Sequence, residues 1–286
     1  MNCFVCNGEM KPFLQKNFGL ENLSACEYVR CENCRLVVAK TLYEMPSNQW
    51  QKLNHECHAA YQNSDANAVD PNWLPRLKTQ AELLSALKNF GVIDLPAVDY
   101  GAGDGKLSDF VGGDWLQKFD EFMARPDENY LHALTPKTFN FVITCSVFEH
   151  LLGRRDVEKI FGLLTDKGTA AIHTLVCEEV PRDSSWFYLL PVHATFWTND
   201  AMKKIFAQFK FVGCAYHVEA RLWLLFRDEE KFSRLKNCME KNSSTVTNCG
   251  CENVAGNANC SAAFKAAGTL VTANNFVDYW KSKPYR

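Results

Sequence analysis

The stretch AVDYGAGDG, residues 97–105, decides how the rest of the chain is interpreted. An apolar run ends there in a turn that carries Gly101, Gly103 and Gly105, and each glycine costs backbone entropy unless its conformational freedom is used. Apolar residues at helical spacing follow in residues 106–111. A strand, a glycine-rich turn and a helix in this order usually bring a nucleotide-like ligand close to the backbone. The alternative is a plain tight turn without a ligand.

The glycine spacing narrows the kind of ligand. The dinucleotide fingerprint G-x-G-x-x-G would need a third glycine where this chain has Lys106, so a pyrophosphate-binding loop is disfavoured. Asp120 stands at the predicted end of the next strand, where a carboxylate can accept hydrogen bonds from both hydroxyls of a ribose. That position suits any adenosine cofactor, and the alternative for Asp120 is a solvated strand end.

Composition indicates an ordinary globular protein. The chain has 286 residues, of which 47% are hydrophobic and 22% charged, and its formal net charge is -2. This charge gives no general attraction to nucleic acid or to anionic membranes. No apolar run reaches membrane-spanning length, and MNCFVCNGEM lacks the features of a signal peptide, so we expect a cytoplasmic protein with no membrane partner. Thirteen cysteines in such a chain argue against a disulfide framework.

Strands and helices are predicted to alternate through the middle of the chain. Helices are expected over 73–90, 106–111, 155–168 and 198–209. Strands are expected over 97–103, where the strand runs into the glycine loop, and over 115–120, 139–151, 169–176, 211–218 and 221–227. This pattern predicts an α/β fold, with a mostly parallel sheet covered by helices on both faces and an antiparallel pair at one edge. We place the domains at 1–70, 71–228 and 229–286. Residues 46–72 are interpreted as a polar connection, 229–241 and 276–286 as helices, and 242–261 as a loop.

Four cysteines near the N-terminus predict a metal site. Cys3-x-x-Cys6 and Cys31-x-x-Cys34 are two C-x-x-C pairs, and two such knuckles can complete a tetrahedron of thiolates around Zn²⁺. A site closed by four thiolates would be structural and would stabilise a segment with little core of its own. The alternatives are a redox-active C-x-x-C and free thiols.

The chain resembles the class I S-adenosylmethionine-dependent methyltransferases. AVDYGAGDGKLSDF resembles the first motif of that family, and FNFVITCSVFEHL resembles the motif of its fourth strand. IFGLLTDKGTAAIHTLV and PVHATFWTNDAMKKIFAQFKFVG follow in the family's order, so the resemblance covers residues 74–227. The paired C-x-x-C motifs ahead of such a core resemble the sugar C-methyltransferases and their relatives. Where that group has a His-Glu-His-type stretch, this chain has LLPVHATFWT, with only His193.

The resemblance implies a Rossmann-like seven-stranded sheet with S-adenosylmethionine across the carboxyl ends of the strands, and methyl transfer to a small molecule such as a sugar or related metabolite. The residues it places at the cofactor are Asp99, Gly101, Ala102, Gly103, Gly105, Asp120, Cys145 and Ser146. A general base is needed for most acceptors, and the candidates are Glu149, His150 and His193. The alternative is that these three side chains only hydrogen-bond to nearby backbone.

Two other functions compete with this prediction. One is a zinc-knuckle binding module whose methyltransferase-like domain is inactive, and it predicts that no cofactor binds. The other is a nucleic-acid methyltransferase, which is disfavoured because the chain has no basic excess. The family's Asn/Asp-Pro-Pro-aromatic motif is also absent after the fourth strand, where CSVFEH stands instead. The oligomeric state and the methyl acceptor are left open.

Overall fold

A computed structural model describes residues 1–63, 72–122, 129–243 and 270–277. The strands are β1 (Met10–Leu20), β2 (Leu23–Cys31), β3 (Val37–Ala39), β4 (Ala97–Tyr100), β5 (Leu116–Phe119), β6 (Phe139–Cys145), β7 (Leu164–His173), β8 (Val176–Cys177), β9 (Thr195–Thr198), β10 (Gly213–His217), β11 (Leu222–Phe226) and β12 (Leu270–Ala273). The helices are α1 (Lys40–Tyr43), α2 (Ser47–Asn63), α3 (Trp73–Asn89), α4 (Lys106–Val111), α5 (Arg154–Gly162), α6 (Asn199–Gln208) and α7 (Glu229–Ser243).

The larger sheet confirms the predicted α/β fold. Within the described ranges it has seven strands in the order β5-β4-β6-β7-β11-β10-β12. Strands β5, β4, β6 and β7 pair in parallel, and β11, β10 and β12 continue the sheet through antiparallel pairs. Strand β10 therefore points the same way as the parallel four, and only β11 and β12 run against them. The arrangement is the Rossmann-like, mostly parallel sheet that the strand–helix alternation predicts.

Helices cover both faces of this sheet. Successive strand residues point to opposite sides, so each face presents its own row of side chains to the helices. Val98, Val142 and Ala170 are partners across β4, β6 and β7, and they pack in one buried cluster with residues of α5 and α6. The next row, which contains Ile143 and Ala171, belongs to a second cluster with residues of α3 and α7. Both rows are continuous and apolar, as expected for central strands with no solvated face.

The N-terminal segment forms a second sheet with strands from much later in the chain. In the described part of the protein its order is β1-β2-β3-β9-β8, and Val37 pairs with Phe196 across β3 and β9. Cys31 and Leu36 belong to the same buried cluster as Met202 of α6. The N-terminal segment and the central sheet therefore share one hydrophobic core, while the proposed boundary at residue 70 remains a prediction.

Among the elements that differ from the sequence prediction, helices α2 and α5 differ most. The expected connection over 46–72 contains helix α2, whose buried face includes Trp50 and Leu53 and rests on the second sheet. Helix α5 ends at Gly162 rather than continuing to residue 168, because Leu164 already pairs with Phe139 of β6. In the first case helical spacing is present but diluted by polar residues. In the second, strand pairing overrides the local helical pattern.

The C-terminal segment contributes to the sheet as well. Helix α7 confirms the predicted helix over 229–241, and β12 adds an edge strand to β10. The predicted loop over 242–261 lies outside the described residues except for 242–243, which continue α7, and of the predicted helix over 276–286 only Phe276 and Val277 are described, neither in a helix. Among the helices that the structure describes, none is both long enough and apolar enough to cross a membrane.

Candidate active site

A cleft of about 2210 Å³ opens at the carboxyl ends of β4, β5 and β6. This is the place where open α/β sheets bind their ligands. All the residues predicted to act in catalysis or to bind the cofactor line it, except Gly105. The structure thus brings the glycine turn and the predicted catalytic residues into one cleft. We call the part lined by Asp99, the glycine turn and Asp120 the cofactor end, and the part lined by Glu149, His150 and His193 the acceptor end.

The three glycines of the turn have different physical roles. All are left-handed, with φ of 79° at Gly101, 55° at Gly103 and 75° at Gly105. A Cβ at Gly101 would lie 2.4 Å from the Val147 side chain, and one at Gly105 would lie 2.8 Å from the Tyr130 hydroxyl. At Gly103 no atom lies within 4 Å of that position. Gly103 is therefore the glycine that leaves bare backbone open to the cleft.

Asp120 holds the glycine turn in place. Its Oδ2 accepts a 2.8 Å hydrogen bond from the Gly103 N–H, and its Oδ1 accepts one of 2.8 Å from the Phe122 N–H. The Tyr130 hydroxyl donates to the Gly103 carbonyl at 2.8 Å. The open backbone at Gly103 is thus fixed on both sides before any ligand binds. The contact of Asp120 with a ribose stays a prediction.

Asp99 is a buried carboxyl group with an unused oxygen. It lies at the end of β4 and is 2% exposed, and its Oδ1 has no hydrogen-bond partner within the described residues. Burial, with a further contribution from the nearby charge of Asp120, raises the pKa of Asp99 to about 7. A cationic amino group bound here would satisfy Oδ1 and favour the charged carboxylate. The site therefore fits the amino-acid end of S-adenosylmethionine.

The end of β6 forms the floor between the two ends of the cleft. Ser146 is exposed and left-handed, with φ of 56°, and its N–H donates to the His173 carbonyl at 2.9 Å. A residue other than glycine in this conformation costs about 1 kcal/mol, and such positions cluster at ligand sites. Burial raises the pKa of the Cys145 thiol well above its usual value, so this thiol stays protonated and is not a nucleophile.

Glu149 is the buried anchor of the acceptor end. It lies in the short 3-10 turn Phe148–His150 after β6 and is 3% exposed. Its oxygens accept hydrogen bonds from Thr174 Oγ1 and from the Tyr188 hydroxyl, each at 2.9 Å. Burial raises its pKa, and these two donors partly oppose the rise by stabilising the carboxylate.

Three histidines meet beside Glu149. The His150 ring lies 5.1 Å from that of His193 and 5.4 Å from that of His58, which comes from α2. Burial lowers the pKa of His150 and of His58 to about 4, and it lowers that of His193 well below the usual value. All three imidazoles are therefore neutral at pH 7. Each has one nitrogen that can accept a proton or bind a cation.

Aromatic side chains wall the acceptor end. Trp50 of α2 and three consecutive residues of the loop before β9 line the cleft there, and these are Trp186, Phe187 and Tyr188. Phe187 is 69% exposed, which is unusual for so large an apolar side chain. A surface of this kind, next to a few polar groups, is typical of a small-molecule site.

The four predicted metal ligands come together away from the cleft. Their ligand atoms all lie within 4.8 Å of one another, with 3.6 Å between the sulfurs of Cys3 and Cys34 and 3.4 Å between those of Cys6 and Cys31. Four sulfurs bound to one zinc ion stand about 3.8 Å apart, and a disulfide would need about 2 Å. The arrangement fits a tetrahedral Zn²⁺ site and excludes disulfides between these pairs.

The two knuckles have the same backbone geometry. Four residues after the first cysteine of each pair, Asn7 and Arg35 are left-handed, with φ of 58° and 60°. The N–H of each donates back to the carbonyl of that cysteine, Cys3 at 2.8 Å and Cys31 at 3.0 Å. Gly8 allows the knuckles to approach, because a Cβ there would lie 3.0 Å from the Cys31 sulfur.

A chain of buried contacts joins the knuckles to the acceptor end. The Phe4 ring packs edge-on against Trp197 at 6.0 Å, and the Trp197 indole N–H donates to the Phe148 carbonyl at 2.8 Å. The Ala194 N–H donates to the Glu149 carbonyl at 2.7 Å. The N-terminal knuckles and the second sheet therefore support the turn that carries Glu149 and His150.

Several residues of the acceptor end are not predicted from the sequence. His58 falls in the predicted polar connection, although Trp50, Leu53 and Asn54 repeat at helical spacing ahead of it. The two residues that donate hydrogen bonds to Glu149 are Thr174 and Tyr188. They lie in other segments of the chain, and no local sequence pattern marks them as its partners.

No protein-family model matches the chain, and no curated protein matches it. Similar solved structures include a possible histamine N-methyltransferase of Thermotoga maritima, described as S-adenosylmethionine-dependent, at 10% identity, covering 63% of this chain and 100% of that chain with a TM-score of 0.41. Burkholderia thailandensis 1,6-didemethyltoxoflavin-N1-methyltransferase is 12% identical, with 71% and 93% covered and a TM-score of 0.44. Magnesium protoporphyrin IX methyltransferase of Synechocystis is 15% identical, with 65% and 94% covered and a TM-score of 0.40.

Proposed function

We propose that this chain is an S-adenosylmethionine-dependent methyltransferase acting on a small molecule, with sugars and related metabolites as the first acceptor class to test. The observation that carries the proposal is the presence of Asp99 and Gly103 in the same cleft. Asp99 offers a buried carboxyl oxygen without a partner among the described residues, and Gly103 offers open backbone. A cofactor with an amino-acid end and a ribose matches both features.

At the cofactor end, the role of the chain is to bind and orient the methyl donor. S-adenosylmethionine supplies an activated methyl group on a sulfonium, so the protein needs mainly to position the reactants and exclude water. Asp99 would hold the amino group, and Gly103 would let the cofactor lie against the main chain. Asp120 keeps the turn in shape, and its carboxylate would also accept hydrogen bonds from the ribose hydroxyls.

At the acceptor end, the chain supplies a proton acceptor. The backbone carbonyls beside Nδ1 of His150 and of His193 can only accept, so each Nδ1 carries the proton and each Nε2 carries the lone pair. Either Nε2 can take the proton that the acceptor loses as it is methylated. Glu149 is a positioning residue here, because it fixes Tyr188, whose carbonyl holds the His193 ring.

The four cysteines would hold a structural zinc ion. Cys3, Cys6, Cys31 and Cys34 close the coordination shell, so no position is left for chemistry. Zinc at this place would stabilise the second sheet and, through Trp197, the turn beneath the acceptor.

Calorimetry with S-adenosylmethionine and S-adenosylhomocysteine tests the proposal, with NAD⁺ as the control ligand. We expect binding in the micromolar range for the first two and none for NAD⁺. Asp99→Ala should weaken binding at least about tenfold, or about 1.4 kcal/mol. The matched control Asp114→Ala removes an exposed carboxylate from the loop before β5 and should change nothing. No binding by the wild-type chain would reject the enzyme and leave the binding module.

A further inference from the structure

Three side chains with metal-binding atoms meet at the acceptor end of the cleft. Glu149 and His150 belong to the turn after β6, and His193 belongs to the loop before β9. Their ligand atoms all lie within 4.8 Å of one another. Because the residues come from separate segments, their closeness is set by the tertiary fold and not by one local turn. We call these three residues the Glu–His–His cluster.

Backbone contacts orient both imidazoles of the cluster. His150 Nδ1 lies 3.0 Å from the Val192 carbonyl, and His193 Nδ1 lies 2.8 Å from the Tyr188 carbonyl. A carbonyl only accepts, so each Nδ1 is the donor and each Nε2 carries the lone pair. Histidines that bind metals through Nε2 commonly donate Nδ1–H to a carbonyl in this way, which fixes the ring and its tautomer.

The carboxylate of the cluster is oriented without being neutralised. Thr174 Oγ1 and the Tyr188 hydroxyl each donate to one oxygen of Glu149, and both donors are uncharged. Each oxygen keeps a second lone pair for a further partner. Metal-ligating carboxylates are held by outer hydrogen bonds of this type.

We propose that Glu149, His150 and His193 form a second metal site, which binds Zn²⁺ or a similar divalent transition metal. Two imidazole nitrogens and one carboxylate oxygen favour such ions over Mg²⁺ and Ca²⁺, which prefer oxygen ligands. Three protein ligands also leave a coordination position open, unlike the four thiolates of the knuckles. The open position faces the cleft, since all three residues line it.

The use of this ion rests on the proposed methyl transfer, whereas metal binding itself does not. An acceptor hydroxyl bound at the open position would lose its proton to water at a lower pH than a free hydroxyl. The O–H bond breaks, the oxygen keeps the electron pair, and the oxygen stays on the ion. With the ion bound, the lone pairs of His150 and His193 are engaged in ligation, and the ion replaces them as the group that activates the acceptor.

Metal analysis of the full chain tests the site. After loading with Zn²⁺ and dialysis, the wild-type chain should retain two equivalents, one at the knuckle thiolates and one at the Glu–His–His cluster. Glu149→Gln and His193→Gln should each lose one equivalent. His173→Gln is the control, since His173 also lines the cleft and holds a backbone carbonyl through Nδ1 but lies outside the cluster. It should retain two.

Co²⁺ loading shows which site each variant loses. Thiolate-bound Co²⁺ absorbs through sulfur-to-metal charge transfer, and Co²⁺ at the cluster does not. The cluster variants should keep the charge-transfer bands of the thiolate-bound Co²⁺. They should lose only the absorption that comes from Co²⁺ at the Glu–His–His cluster. If His193→Gln fails to fold, as judged by circular dichroism, the half-buried His150→Gln replaces it. A single equivalent in the wild type, or two equivalents in every cluster variant, would overturn the second site.

Binding of S-adenosylhomocysteine separates this inference from the proposed function. The cluster variants should bind it within about twofold of the wild type, because none of the three cluster residues is among those proposed to bind the cofactor. Normal cofactor binding with one metal equivalent would reject the metal site alone. Two equivalents without cofactor binding would reject the methyltransferase and leave the metal site standing.

Discussion

The two ends of the cleft are built from different parts of the chain. At the cofactor end, Asp99, Gly103 and Asp120 lie within residues 99–120, and the Asp120 carboxylate holds the turn through the Gly103 N–H. At the acceptor end, the side chains come from α2, from the turn after β6 and from the loop before β9, and the N-terminal sheet supports them. One end depends on local sequence and the other on tertiary packing. A substitution that damages one end should therefore leave the other end intact.

Removing the knuckle metal should give the largest effect. In Cys3→Ser combined with Cys31→Ser, we expect the loss of one zinc equivalent and of several kcal/mol of unfolding free energy, because metal binding there is coupled to folding. Below the unfolding transition, the affinity for S-adenosylhomocysteine should change by less than about threefold. Metal analysis, denaturant titration and calorimetry measure the three quantities.

Cys57→Ser is the control for this double variant, since Cys57 is half-buried on α2 and lies outside the four-cysteine group. It should keep the zinc and most of the stability. If cofactor affinity collapsed together with the zinc, the two ends of the cleft would be one cooperative unit and the comparison would be wrong.

Filling the open backbone of the glycine turn should damage the cofactor end alone. Gly103→Val places a branched side chain where the cofactor would lie, and we expect about a 100-fold loss of affinity, or about 2.7 kcal/mol. Calorimetry with S-adenosylhomocysteine measures this loss, and zinc content should not change.

Gly19→Val is the matched control, because Gly19 is also left-handed, with φ of 66°, and a Cβ there would also have no atom within 4 Å. It carries a similar backbone strain outside the cofactor end. Equal losses of affinity in both variants would show that strain, and not occupied space, causes the effect at Gly103.

The same contrast explains what the sequence could predict. The cofactor end and the knuckles are encoded by spacing within short segments, so the glycine turn and Cys3-x-x-Cys6 are visible without a structure. The acceptor end is not, because the meeting of His58 with His150 requires helix α2 to pack against the 3-10 turn. The partnership of Tyr188 with Glu149 and the pairing of β3 with β9 are equally non-local. The candidate bases of that end, after β6 and in LLPVHATFWT, could still be named from the sequence.

Asp99→Asn should change the pH dependence of the unfolding free energy and that of the cofactor affinity in opposite ways. The folded pKa of about 7 lies above the ordinary value of 3.8, so the folded wild type retains a proton that the unfolded chain has lost. The unfolding free energy of the wild type therefore falls as pH rises from about 4 to about 7. The Asn variant lacks this loss and should be the more stable protein at about pH 8, and denaturant titrations across this range measure the difference.

Cofactor affinity should move in the opposite direction. Calorimetry should show that the wild type binds S-adenosylmethionine more tightly as pH rises through about 7, because the charged carboxylate attracts the amino group. At about pH 8, Asp99→Asn should bind more weakly although it is more stable. If the variant lost both stability and affinity at about pH 8, Asp99 would be needed for the folded structure and not for direct contact with the cofactor.

The smallest effect is expected at an exposed ion pair between the second sheet and the loop before β9. Arg30 of β2 and Glu179 form an ion pair with 2.9 Å between Nη1 and Oε1, and Glu179 is largely exposed. Exposed pairs contribute about 0–1 kcal/mol, so Glu179→Gln should change the unfolding free energy by less than about 1 kcal/mol and acceptor turnover hardly at all. Lys137 with Asp166, a more exposed pair below the central sheet, gives the matched control as Asp166→Asn. If Glu179→Gln cost much more than Asp166→Asn and the excess vanished at high salt, surface charge would hold the acceptor end, and the buried contacts through Trp197 and Ala194 would not be its main support.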